Sequence, residues 1–152
     1  SVIKTLVDEF QFKRKITGVE IDEEITAIAN QYFKLNEITN YTPIIADANE
    51  FVKKINEKFD LIIIDGGHSF ETVLSDWKYA QGLIKSTGSI VFDDYTDDNG
   101  LINGNIGVKE VVDNYIDGKT WRIVKYSTVD VFMHKWGLLK TRMVQVKALN
   151  NM

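Results

Sequence analysis

The stretch Phe59-Asp60-Leu61-Ile62-Ile63-Ile64-Asp65-Gly66-Gly67-His68 is an apolar run that ends abruptly in a carboxylate, two glycines and an imidazole. A second run, Gly88-Ser89-Ile90-Val91-Phe92-Asp93-Asp94-Tyr95, ends in paired carboxylates. Short uninterrupted runs of β-branched and aromatic residues mark strands buried on both faces. In an open parallel sheet the carboxyl ends of adjacent strands share a crevice in which ligands bind. Asp65, His68, Asp93 and Asp94 are therefore expected to converge. Three carboxylates and an imidazole in one crevice suit a hard divalent cation with a base beside it.

Around these runs, helical and strand patterns alternate. Val2, Ile3, Leu6, Val7 and Phe10 predict a helix over 2–10, and residues 15–21 read as a strand. Ile25, Ile28, Ala29, Tyr32 and Phe33 fall at helical spacing, and Asp22, Glu23 and Glu24 suit the positive end of that helix. Residues 43–46 read as a short strand, 49–56 as a short helix and 71–85 as a longer one. Residues 97–105 form a loop rich in Gly, Asn and Asp, read as substrate-facing or simply solvated. Val108, Val111, Val112, Tyr115 and Ile116 predict a further helix stopping at Gly118. Residues 121–126 and 129–136 read as two antiparallel strands joined by a turn at Ser127-Thr128, and the last dozen residues as a fraying tail. The expectation is one domain over 1–140 and a C-terminal tail over 141–152. Alternating strands and helices imply βαβ units: an α/β, doubly wound, mostly parallel sheet closed by an antiparallel hairpin.

Length and composition narrow the class. A chain of 152 residues is the size of one domain and can bury roughly 70% of its unfolded surface. No apolar run is long enough to span a membrane, and no signal peptide is visible. The absence of cysteine excludes disulfides, thiolate metal sites and a cysteine nucleophile, and agrees with a cytoplasmic setting. A net charge of −4 argues against a dedicated nucleic-acid binder.

In motif order the chain resembles a class I S-adenosylmethionine-dependent methyltransferase, a Rossmann-like fold of seven strands whose last is antiparallel. Ile16-Thr17-Gly18-Val19-Glu20-Ile21-Asp22 resembles the second strand of that family, and Ala46-Asp47-Ala48 the turn after the third. Ile64-Asp65-Gly66-Gly67-His68-Ser69 and Ile90-Val91-Phe92-Asp93-Asp94-Tyr95 resemble the fourth- and fifth-strand motifs of its metal-dependent O-methyltransferase branch. That branch includes the sugar O-methyltransferases of macrolide and aminocoumarin pathways. One departure is plain: the family's first strand and its Gly-rich turn have no counterpart here. The expected explanation is an N-terminally truncated sequence, the alternative that residues 142–147 occupy the vacant slot.

The resemblance implies roles for individual residues, each with a plainer alternative. Glu20 would hold the ribose hydroxyls, or cap a helix; Asp22 is the better cap. Asp47 would face the adenine amino group, or cap the next helix, while Ile21 and Ala48 would line the adenine pocket. Asp65 would serve both cofactor and catalysis. Asp65, Asp93 and Asp94 would ligate Mg²⁺ or another divalent cation, or remain solvated turn acids. His68 would be the general base or a structural histidine; His134 and the three tryptophans are read as structural. The implied function is methyl transfer from S-adenosylmethionine to the oxygen of a small hydroxylated molecule, a sugar or catechol-like ring. Expected partners are that acceptor and a second copy or a larger parent chain, without membrane or nucleic acid. The rival readings are a non-catalytic Rossmann-like interaction module and, more weakly, a nicotinamide-dependent oxidoreductase.

Overall fold

The computed structural model describes residues 2–96, 106–134 and 137–149. The 97–105 loop and Trp136 lie outside these residues. The chain divides into two units, Ser1–Ile55 and Asn56–Met152.

In the first unit, helix α1 (Val2–Asp8) precedes strand β1 (Ile16–Glu20), helix α2 (Glu23–Leu35), strand β2 (Tyr41–Ile45) and the short helix α3 (Ala48–Val52). β1 and β2 are parallel, with Val19 opposite Ile44 and Glu20 opposite Ile45. Asp22 caps α2, accepting from the Glu24 and Ile25 N–H groups at 2.8 and 3.1 Å, as the acidic start of the helix predicts. The buried residues of α2 are Thr26 and Phe33, and the Phe33 ring packs on Tyr41 with centroids 4.5 Å apart. Ile25 and Ile28, which the helical pattern places on a core face, are exposed.

In the second unit, the two acid-ended runs form β3 (Phe59–Ile64) and β4 (Ile84–Tyr95), linked by helix α4 (Phe70–Leu83). They pair in parallel, with Ile62 opposite Ile90 and Ile64 opposite Phe92, so both carboxylate clusters emerge at the same sheet edge. Helix α5 (Gly107–Asn114) and strands β5 (Trp121–Lys125), β6 (Asp130–His134) and β7 (Gly137–Ala148) complete it. The sheet order is β3-β4-β7-β5, with β6 also paired to β7. The core joins Ile90, Phe92, Val144 and Val146 of the sheet to Val73 and Trp77 of α4 and Val111 and Val112 of α5. Trp77 and Trp121 pack edge to face at 5.1 Å, in keeping with their structural reading.

Three expectations about the C-terminal part are corrected. Residues 141–148 do not fray: they belong to a twelve-residue strand in which Val144 and Val146 are fully buried. β5 and β6 do not pair with each other; each pairs antiparallel with a different half of β7, Val124 opposite Gln145 and Val131 opposite Lys140. Within the second unit, residues 142–147 do not pair with β3 either, because β7 lies between β4 and β5. Leu139 and Thr141 in one half and Val144 and Val146 in the other are all buried, which seats both halves of β7 inside the sheet. The antiparallel closure itself is as expected. Among the described residues, β1 pairs with β2 and β3 with β4, and neither takes a second strand.

Candidate active site

The site in the second unit is built by two strand ends and two helix starts. β3 ends at Ile64, and Asp65-Gly66-Gly67-His68 turns directly into α4, capped by Ser69, whose hydroxyl accepts from the Thr72 N–H at 3.3 Å. Beside it β4 shifts register against β7 between Phe92 and Tyr95, so Asp93 and Asp94 fall in a bulge. Asp94 takes a left-handed conformation, φ 56°, that few side chains other than Asn and Asp tolerate. The bulge carries the Asp94 carboxylate to His68: Nε2 lies 2.8 Å from Oδ2. Asp93 folds back on its own turn, Oδ1 accepting the Asp94 N–H at 2.8 Å. Asp65, Gly66, Gly67, His68, Asp93 and Asp94, with Ile64 and Val108, line one small cleft. The convergence expected from the two runs is present.

The electrostatics follow from this crowding. Partial withdrawal from water, then the charges of Asp93 and Asp94, push the Asp65 carboxyl up to about 6, against the opposing pull of His68. Burial, opposed by the Asp94 N–H, also raises Asp93. His68 is raised above 6.5, chiefly by its hydrogen bond to Asp94. A larger cavity, about 270 Å³ between α4 and the start of β5, is lined by Trp77, Lys78, Trp121 and neighbours and contains none of these groups.

The expected cation site is not shown. Asp94 Oδ2 is engaged by His68 and Asp93 Oδ1 by a backbone amide, and among the described residues no three His, Cys, Asp or Glu side chains are grouped as metal ligands. The expectation that Asp65, Asp93 and Asp94 ligate Mg²⁺ is therefore not carried into the chemistry below.

In the first unit, Glu20 is half-buried at the end of β1, with Oε1 accepting the Asp22 N–H at 2.9 Å. Asp47 caps α3, its Oδ1 accepting from Asn49 and Glu50 at 2.7 and 3.3 Å, the plainer of its two readings. Ile21 and Ala48 are exposed beside these acids. A nucleoside site here would combine the Glu20 carboxylate with the apolar Ile21 surface. Sequence reasoning missed Tyr95 and Asp113, whose contacts frame the site from behind; a tyrosine directly after two strand-end acids was the available signal.

A family model described as a methyltransferase domain matches residues 2–95, more than half of the chain. The chain belongs to that family, the class I S-adenosylmethionine-dependent methyltransferases. No curated protein sequence matches it. Among solved structures it is similar to an rRNA methylase from Streptococcus thermophilus (13% identity, 90% of this chain and 74% of that one, TM-score 0.65). A candidate methyltransferase from Streptococcus mutans in complex with SAH is alike at 13% identity (89% and 76%, TM-score 0.65). A candidate O-methyltransferase from Klebsiella pneumoniae is alike at 15% identity (88% of this chain and 62% of that one, TM-score 0.64). These likenesses show the fold. Among the described residues, no helix is long and apolar enough to cross a membrane.

Proposed function

We propose that this methyltransferase acts on a hydroxyl oxygen of a small hydroxylated acceptor, a sugar or catechol-like ring, with His68 as the proton acceptor. The observation that carries the reading is the 2.8 Å contact between His68 Nε2 and Asp94 Oδ2 at the mouth of the cleft. A carboxylate accepts, so Nε2 carries the proton, and Nδ1 keeps the lone pair that can receive the acceptor's hydroxyl proton. The Asp94 carboxylate then stabilises the imidazolium. The bound donor, S-adenosylmethionine, supplies an electrophilic methyl on positively charged sulfur. His68 would take the hydroxyl proton as the acceptor oxygen bonds to the methyl carbon and the carbon–sulfur bond breaks, the sulfur keeping the electron pair and leaving as a neutral thioether, and the glycine turn at Gly66-Gly67 would let the acceptor approach the backbone closely. Glu20 and Ile21 are the residues suited to the ribose and adenine of the donor; Asp47 and Ala48 would border it. A cytoplasmic setting accords with the cysteine-free composition.

The test is methyl transfer from labelled donor to a panel of hydroxylated sugars and catechols, comparing the native chain with His68→Ala, with and without chelator. Loss of transfer in His68→Ala, indifferent to chelator, supports the reading. Transfer abolished by chelator and restored by Mg²⁺ would return the carboxylates to a ligand role and overturn His68 as the main activator.

A further inference from the structure

Helix α5 contacts the backbone of the His68 turn and, through a side chain, the residue that follows Asp94. Its first residue, Gly107, donates its N–H to the His68 carbonyl at 3.2 Å. The approach is close enough that a Cβ at Gly107 would lie 2.4 Å from the His68 oxygen and 2.6 Å from the Ser69 carbonyl carbon. In its last turn, Asp113 accepts from the hydroxyl of Tyr95, at 3.0 Å to Oδ1 and 3.1 Å to Oδ2. Lys125 of β5 donates to Asp113 Oδ1 at 2.9 Å and to the Tyr95 hydroxyl, and Lys109 donates to Oδ2 at 3.0 Å. Tyr95 is 1% exposed and follows Asp94 directly.

A buried phenol needs a partner, and this one has two. Tyr95, Asp113, Lys109 and Lys125 are not among the described residues that line the cleft, so proton transfer there does not use them directly. Their position is what matters. The left-handed Asp94 and the register shift before Tyr95 are strained features that persist only when the surroundings hold them. The bonds to Tyr95 hold the far side of that bulge, as Gly107 holds the turn bearing His68.

We propose that α5 is a yoke for the reacting pair: Gly107 seats the His68 turn, while Asp113 and Lys125 anchor Tyr95 and with it the Asp93-Asp94 bulge, making Tyr95 and Asp113 positioning residues for proton transfer. This rests on the reading of His68 and Asp94 as the reacting pair.

Tyr95→Phe keeps the ring and removes only the hydroxyl. The primary readout is the His68 Cε1–H resonance followed by NMR across pH, which needs neither acceptor nor donor. Release of the bulge lengthens the Asp94 contact, so the His68 midpoint falls toward the ordinary 6.5, and kcat drops roughly tenfold with KM little changed. Lys125→Met, which removes the cation bridging Tyr95 and Asp113, gives the same direction and decides the matter if Tyr95→Phe does not fold. An unchanged His68 midpoint in a folded variant overturns the proposal whatever happens to the melting temperature. If His68→Ala retains full methyl transfer, the functional reading fails instead, and the NMR result still reports on the yoke.

Discussion

His68 Nε2 and Asp94 Oδ2 stand 2.8 Å apart although 26 positions separate them in sequence, one on the turn after β3 and the other in the bulge that ends β4. That contact is the most consequential relationship in the second unit, because it assigns the imidazole tautomer and opposes the loss of its proton. Asp94→Asn keeps the shape and removes the charge. The His68 midpoint is expected to move down toward 6.5, with methyl transfer reduced roughly 10²–10⁴-fold, measured by NMR and by initial rates.

His68 must be neutral to accept a proton, and Asp94 raises the pH at which it becomes so. Methyl transfer should therefore increase with pH through a midpoint above 6.5. The same shift makes the pair's contribution to stability fully present below the unfolded imidazole value and lost as pH rises through the folded one. A flat rate profile from pH about 6 to 8 would remove His68 from the proton path.

Asp65 has the same sign for a different reason. Its carboxyl, about 6 when folded against 3.8 ordinarily, holds its proton more tightly in the native state. The associated stability is present below 3.8 and lost as pH rises through about 6. Asp65→Asn should thus stabilise the protein at pH about 8, by about 1 kcal/mol after allowing for solvent screening of an exposed carboxylate. Denaturant unfolding at several pH values measures this.

Gly107→Ala should destabilise by about 1–3 kcal/mol, since the new methyl meets backbone atoms of His68, Ser69 and Phe70 that cannot turn aside. Gly118→Ala, where nothing lies within 4 Å, is the comparison and should have little effect on the melting temperature.

The strand β7 offers the sharpest test of the fold. Val144→Ala empties a fully buried position between β4 and β5 and should cost about 2 kcal/mol or more by denaturant unfolding. Removal of residues 141–152 should prevent folding of the second unit; a folded, cooperative product would contradict the central place of β7.

The apolar runs 59–64 and 88–92 already specify parallel buried strands, because only a strand covered on both faces tolerates such sequences, and their acidic ends specify where chemistry can occur. Asp22 as a cap, the amphipathic Val108–Val111–Val112 pattern and the antiparallel closure were equally legible, since each depends on neighbours within one or two turns. Strand partners were not: β5 and β6 resemble a hairpin locally, but β7 offers both of them a longer edge with a buried face. Nor does local sequence show that one of the strand-end carboxylates turns to a histidine and another to its own backbone. That depends on the left-handed Asp94, and the contacts framing its bulge come from α5 and β5, distant in the chain. Local pattern placed the acids at one edge of the sheet; long-range packing chose their partners.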